Sequence, residues 1–246
     1  MNTYKYDKEF FDFVDRSSYL SAKNFIPQIY DELKPKSVLD IGCGRGIWLK
    51  VWKDHGVDNV IGIDGEYVDT NAIHVDQSSF FAKDLKLPFD LNTTFDLVEC
   101  LEVAEHLPMS ISDLLVENLI RHGDVILFSA AQKGQGGENH INEQDVDYWM
   151  KKFSAKGYHA FDYPRLQVQG IEEIEPWYRY NTVLYANDRG IERLPENIRK
   201  TLIYKDNSKE YMSTSWKIRC FALSHIPQFF VHQLAKAKHI FLNRRS

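Results

Sequence analysis

A chain of 246 residues with 43% hydrophobic and 26% charged residues is long enough for one sizeable core and has the composition of an ordinary globular protein. A net charge of -5 argues against a uniformly basic nucleic-acid binder, and three cysteines, Cys43, Cys100 and Cys220, are too few and too scattered for a disulfide framework or a zinc site. Neither the opening segment MNTYKYDKEFFDF nor any later run reads as a secretory leader or a bilayer span, so a cytoplasmic protein is expected.

In residues 7–33, Phe10, Phe13, Val14, Tyr19, Phe25, Ile26, Ile29 and Leu33 recur at helical spacing before Pro35, which predicts a pair of helices within a lead-in of residues 1–35. Ser37–Ile41 is then a short apolar run that stops at glycines and yields to an amphipathic stretch around Ile47, Trp48, Val51 and Trp52, giving strand, tight turn and helix. The rhythm repeats at 59–64, 80–84, 95–100 and 124–129. Strands alternating with helices imply a doubly wound α/β domain, here 36–188, with a mostly parallel sheet covered on both faces. A helix is expected over 143–155, then strands over 157–163 and 182–186 with a polar and aromatic insertion between them, which suits an antiparallel edge.

Residues 189–246 depart from this pattern and form the expected C-terminal extension. From Ser215 onward it carries Lys217, Arg219, Lys236, Lys238, Arg244 and Arg245 without one acidic residue, and Ile226, Phe230, Leu234 and Phe241 recur at helical spacing. Such a basic amphipathic segment packs on its own domain or on a second subunit, as in a homo-oligomer, or lies on an anionic membrane surface.

The run Asp40-Ile41-Gly42-Cys43-Gly44-Arg45-Gly46 joins the first strand to its helix, and glycine there lets a nucleotide-like ligand approach the backbone. Glycines that only make a turn are the plain alternative. Asp64, followed by Gly65, closes the second strand about 20 residues on, where a carboxylate accepts from both hydroxyls of a ribose. Asp40 separates the ligand classes: a carboxylate two residues before the first glycine would repel a pyrophosphate. It would attract the ammonium and sulfonium of S-adenosylmethionine. Asp84 is placed to accept from an adenine amino group, with Leu85 and Leu87 as apolar cover, and a solvated loop aspartate is the equal alternative.

VLDIGCGRG, IGIDGE, AKDLKLPF and FDLVECLEVAEHL, in that order and spacing, resemble the successive motifs of class I S-adenosylmethionine-dependent methyltransferases over about residues 36–186. The resemblance implies a seven-stranded Rossmann-like sheet of order 3-2-1-4-5-7-6 with strand 7 antiparallel. It also implies that Asp40, Gly42, Cys43 and Gly44 face the methionine end of the cofactor, Asp64 and Gly65 the ribose, Asp84 and Leu85 the adenine, and Cys100 and Leu101 the sulfonium.

A methyl acceptor must be aligned with the sulfonium and lose its proton, so a base is sought on loops at the carboxyl ends of the strands. Two segments qualify, Glu102-Val103-Ala104-Glu105-His106 and Gly136-Gly137-Glu138-Asn139-His140. The stretch SAAQKGQGGENHINEQ resembles a subgroup of these enzymes associated with surface-glycan and secondary-metabolite genes, and His140 is the favoured base. His106 and Glu105 are further catalytic candidates, although Glu-His at this point also serves to cap the following helix. Glu102, Glu105, His106 and His140 together match the metal ligands of small-RNA 2′-O-methyltransferases and some quinone O-methyltransferases, so a divalent metal is a secondary cofactor expectation. Tyr178, Arg179 and Asn181 are expected to contact substrate, and Trp177 to anchor the core.

The leading expectation is O-methylation of a small polar acceptor, a sugar or a phosphorylated or nucleotide-linked glycan precursor. The competitors are a metal-dependent RNA 2′-O-methyltransferase, disfavoured because no Lys/Arg stripe accompanies the core, and a scaffold that keeps the cofactor fold without catalysis.

Overall fold

A computed structural model describes residues 8–243. The chain opens on one continuous 26-residue helix, α1 (Lys8–Leu33), where the periodicity predicts a pair. The correction has a packing reason. Ala22, Phe25, Ile26 and Ile29 form a single buried face, while Pro27 lies on the exposed side, so the hydrogen bond that its missing N–H forfeits is lost at the surface and not in the core.

There follow β1 (Ser37–Ile41), α2 (Ile47–Asp54), β2 (Asn59–Asp64), β3 (Phe80–Ala82), β4 (Leu97–Leu101), α3 (Ser112–His122), β5 (Val125–Ser129), α4 (Val146–Ser154) and β6 (His159–Phe161). Two short helices, α5 (Tyr163–Val168) and α6 (Pro176–Asn181), occupy the aromatic insertion before β7 (Val183–Ala186). The extension contributes α7 (Asp188–Arg193), α8 (Glu196–Arg199), β8 (Leu202–Ile203), α9 (Ser208–Tyr211), α10 (Thr214–Ser224) and α11 (Gln228–Asn243).

The sheet runs β3-β2-β1-β4-β5-β7-β6-β8. Strands β1 to β5 are parallel, and β7 is antiparallel to both β5 and β6. The expected seven-strand order is present and gains an eighth strand, β8, antiparallel on β6 through Ala160↔Ile203 and Phe161↔Leu202. Two residues are too few to carry an alternation signal, so this edge strand is not legible in the sequence.

Both faces of the sheet are covered. Trp48 and Trp52 of α2 pack with α1 on one face, and Leu115 and Leu119 of α3 with Trp149 and Phe153 of α4 on the other. Double coverage explains why every residue of β4 and β5 is buried, including Glu99. Because β1 has β2 on one side and β4 on the other, the chain reverses direction across the sheet there, and a crevice opens beyond the carboxyl ends of these two strands.

The extension lies against the same end of the molecule. Trp216 is buried beside Tyr180, with ring centroids 6.1 Å apart, and Ser208 accepts a hydrogen bond from Gln132 Nε2 at 3.1 Å. A side chain at Gly136 would strike Val231 and Leu223, so α10 and α11 rest directly on the loop after β5. Of the predicted apolar stripe, Phe230 and Leu234 are more than half exposed, and Val231, one position over, makes the contact. Arg244 and Arg245, and the side chains of Lys238 and Phe241, lie outside the described residues.

Candidate active site

The glycine loop is built as a cradle. Gly42, Gly44 and Gly46 all have positive φ, at 90°, 54° and 80°. A Cβ at Gly42 would fall 2.3 Å from Val103, whereas one at Gly44 meets only a ring carbon of Phe11 at 4.0 Å, so the space above Gly44 is open to a ligand. The loop is tied to β2 by hydrogen bonds from Gly42 N and Cys43 N to the Ile63 carbonyl, at 2.7 and 3.1 Å. Gly44 N then donates to Asp64 Oδ2 at 2.7 Å.

Asp64 also accepts from Gly65 N at 2.6 Å and from the Tyr67 hydroxyl. Burial raises its pKa against these three donors. The carboxylate thus accepts a neutral hydroxyl, that of Tyr67, at the cavity wall.

Asp40 faces a different partner. It stands opposite Glu99 in the β1–β4 ladder, and Glu99 Oε2 accepts from Trp52 Nε1 at 2.9 Å while Oε1 has no hydrogen-bond partner among the described residues. Burial, with help from Glu99 and Asp64, pushes Asp40 well above the ordinary carboxyl range, and burial carries Glu99 to about 8. Of the two, Asp40 lines the cavity, and a buried acid there favours an incoming cation.

A cluster of Glu105, His106 and His140 sits across the same cavity, which encloses about 1360 Å³ and is lined by Asp40 and Asp64 among others. His140 Nδ1 lies 2.9 Å from Glu143 Oε1. An ionised carboxylate only accepts, so Nδ1 carries the proton and the basic lone pair is at Nε2. Glu143 is itself fixed by Gly134 N at 2.9 Å and Gly136 N at 2.7 Å. Gly137 is required by the ring, because a Cβ there would lie 2.1 Å from His140 Nε2.

His106 crosses His140 edge-on with centroids 5.0 Å apart, and its Nδ1 lies 3.3 Å from the Asn139 carbonyl. Burial, reinforced by His140, lowers its pKa to about 3, so it is neutral. Glu105 is fully buried, and burial and the charge of Glu102 push its carboxyl well above the usual range against a smaller pull from the Glu105 and Ala131 amides. Neither of its oxygens completes a hydrogen bond among the described residues. Ligand atoms of Glu105, His106 and His140 lie within 4.8 Å of one another, close enough to share one ion. Glu102 is not in that group: its carboxylate accepts from Gln135 Nε2 at 2.8 Å and Asn181 Nδ2 at 3.1 Å.

The cavity does not collect every residue singled out from the sequence. Gly42, Cys43, Gly44, Gly65, Asp84, Leu85, Leu101 and Tyr178 line it. Cys100 does not, because successive strand residues face opposite sides and Cys100 points into the core under α3 and α4. Leu87 is 59% exposed and outside the lining. Asn181 is buried and holds Glu102, while Arg179 stacks on Tyr180 with its guanidinium 5.3 Å from the ring centroid; neither reaches the cavity wall. Trp177, read as a core anchor, lines the cavity as well as packing on the core.

Four contributors escape the sequence reading. Phe11 of α1 stacks over Tyr67 at 6.4 Å and forms a wall of the cavity, and Arg45 clamps α1 to the loop through Asp12 at 2.9 Å and Asp15 at 3.2 Å. Glu143 orients the base. Only the Asp12–Asp15 spacing, one helical turn opposite a loop arginine, offers a one-dimensional hint.

A glycine cradle with Asp40 and Asp64 at the carboxyl ends of the first two strands of a doubly wound sheet is the site that this α/β fold presents. A methyltransferase-domain family model matches residues 10–129. The chain is 29% identical over 110 residues to a ubiquinone biosynthesis O-methyltransferase of Coxiella burnetii, covering 41% of this chain and 46% of the relative. It is 30% identical over 122 residues to one of Actinobacillus pleuropneumoniae, covering 45% and 52%. The chain thus spans about half the length of these relatives.

In fold it is similar to the sugar N-methyltransferase KedS8 of Streptoalloteichus, with TM-score 0.55, 12% identity and coverage of 76% of this chain and 95% of that one. The magnesium protoporphyrin IX methyltransferase of Synechocystis with bound SAH gives 0.51, 18%, 76% and 90%. The chain carries a class I S-adenosylmethionine-dependent methyltransferase domain, and S-adenosylmethionine is the cofactor of that domain.

Proposed function

We propose that the chain methylates an oxygen acceptor, a hydroxyl of a sugar or glycan precursor, with His140 as general base. The observation that carries this reading is the Glu143–His140 contact of 2.9 Å, which fixes the tautomer and stabilises the imidazolium that forms. Bound in the cradle, S-adenosylmethionine supplies a methyl group activated by a sulfonium. Asp64 and the glycine loop hold its adenosine, and Asp40, which lines the cavity, compensates its cationic end. His140 Nε2 takes the hydroxyl proton as the oxygen gains the methyl, leaving a methyl ether, S-adenosylhomocysteine and a protonated imidazole that returns its proton to water. Trp177 and Tyr178 offer aromatic faces to a ring-shaped acceptor. The relatives named for O-methylation support oxygen as the acceptor atom.

Glu105 favours a second reading of the same chemistry. A buried carboxylate that no side chain among the described residues hydrogen-bonds, beside two histidines whose Nδ1 atoms are held from behind, fits a divalent ion. Glu105, His106 and His140 would hold it, and the ion would supply Lewis-acid activation of the acceptor oxygen. An RNA acceptor is disfavoured, because eight Asp and Glu side chains against four Lys and Arg line the cavity and repel a polyanion.

The test is methyl transfer to candidate sugar hydroxyls by wild type and His140→Ala, before and after chelation, with S-adenosylhomocysteine binding followed in parallel. Loss of turnover in the variant alone supports the base. Loss on chelation with recovery on added Mg²⁺ supports the ion, and unchanged turnover in the variant sinks both.

A further inference from the structure

The two last helices combine features that no part of the cofactor site requires. Ile218 and Phe221 of α10 are 64% and 69% exposed, and Phe229, Phe230 and Leu234 of α11 are 67%, 57% and 59% exposed. Single exposed apolar side chains are ordinary, but five large ones within 17 residues form a patch that calls for a partner. The helices are already anchored from beneath. Arg219 donates to the Gln135 carbonyl at 2.6 Å and Asn139 N donates to His232 Nδ1 at 2.9 Å, while Val231 is buried, so Ile218, Phe221, Phe229 and Phe230, none of which lines the cavity, are left to solvent, and Leu234 stands at the cavity rim.

Charge says what that partner is. Residues 215–246 hold six Lys and Arg and no acidic residue, whereas the rest of the chain holds 24 Lys and Arg against 35 Asp and Glu. We propose that α10 and the first half of α11 dock on an anionic lipid surface, apolar side chains inserted and basic residues among the headgroups. A negative surface repels the body of the molecule and attracts this segment, so charge alone sets the orientation. A second copy of the chain fits less well, since a two-fold contact would set a segment that carries Lys and Arg and no acidic residue against itself.

The patch is continuous with the active site: Leu223 of α10 and Leu234 and Ala235 of α11 line the cavity. Docking therefore turns the cavity towards the lipid. An acceptor anchored in the bilayer, its polar head reaching His140, follows from this placement, and that step rests on the methyl-transfer reading above.

Co-sedimentation of the full chain with phosphatidylcholine vesicles, with and without phosphatidylglycerol, tests the docking. Binding is expected only to the anionic vesicles, weakened by salt, and reduced about tenfold or more by Phe229→Asp with Phe230→Asp. S-adenosylhomocysteine affinity of that double variant should be unchanged, which shows it folded. Absence of wild-type binding, undiminished binding by the variant, or a wild-type dimer that the variant dissolves would each overturn the proposal. Failure of the methyl-transfer reading would show in turnover and leave vesicle binding untouched.

Discussion

Asp64 concentrates three donors on one buried carboxylate, and its exchange for alanine removes the hydroxyl acceptor together with the anchor of Gly44 and Gly65. Charged hydrogen bonds contribute about 1.5–3 kcal/mol, so calorimetry should show S-adenosylhomocysteine affinity falling about tenfold to a hundredfold in Asp64→Ala. His140→Ala should lower kcat by about 10²–10⁴-fold with little change in cofactor affinity. Glu143→Gln should lower kcat by less than His140→Ala does, because an amide oxygen still accepts from Nδ1 but carries no charge to stabilise the imidazolium.

Glu99 makes a stability prediction. Its pKa rises from 4.5 to about 8 on burial, so between those values the folded chain keeps a proton that the unfolded chain has released. The stability of the cofactor-free protein must then fall as pH rises through that window. Melting temperature should drop between about pH 6 and about pH 8 in wild type and change less in Glu99→Gln, which keeps an acceptor for Trp52. Equal slopes in the two proteins would remove Glu99 as the cause.

Among the elements, the turn between β1 and α2 is the most constrained. At Gly42 a positive φ and the 2.3 Å approach to Val103 act together, so Gly42→Ala is expected to cost about 1–3 kcal/mol in urea unfolding. Gly42→Ala with Val103→Ala should recover the steric part and leave the backbone part, a partition that a purely steric account would fail. The strands that frame this turn were legible because β1, β2, β4 and β5 are apolar runs bounded by turn residues. The continuity of α1 was not, since Pro27 reads as a break until its exposed side is known.

Across the whole molecule the two halves of the cavity come from different stretches of chain. Residues 10–129 build the cradle, while α6, the loop after β5 and the two final helices build the opposite wall. Arg219 links these halves through Gln135, which in turn holds Glu102. Arg219→Met should therefore raise the KM for acceptor several-fold while leaving S-adenosylhomocysteine affinity unchanged, and a parallel loss of both would place Arg219 in the cofactor half instead.

The sequence by itself determined the alternating α/β plan, the glycine turn, the spaced aspartates Asp40 and Asp64, and the pair of loops that carry His106 and His140. These are local in chain or fixed by strand ends, and their chemistry is written in residue type and spacing. Only the tertiary structure decided that Glu105 is fully buried, that Glu143 stands behind His140, that Asn181 holds Glu102 where a substrate contact was expected, and that Cys100 faces the core. It also decided which side of α11 is covered. Each depends on which face of a strand or helix meets a neighbour distant in sequence, and a buried polar group is recognised only once the groups that fail or succeed in pairing with it are in place.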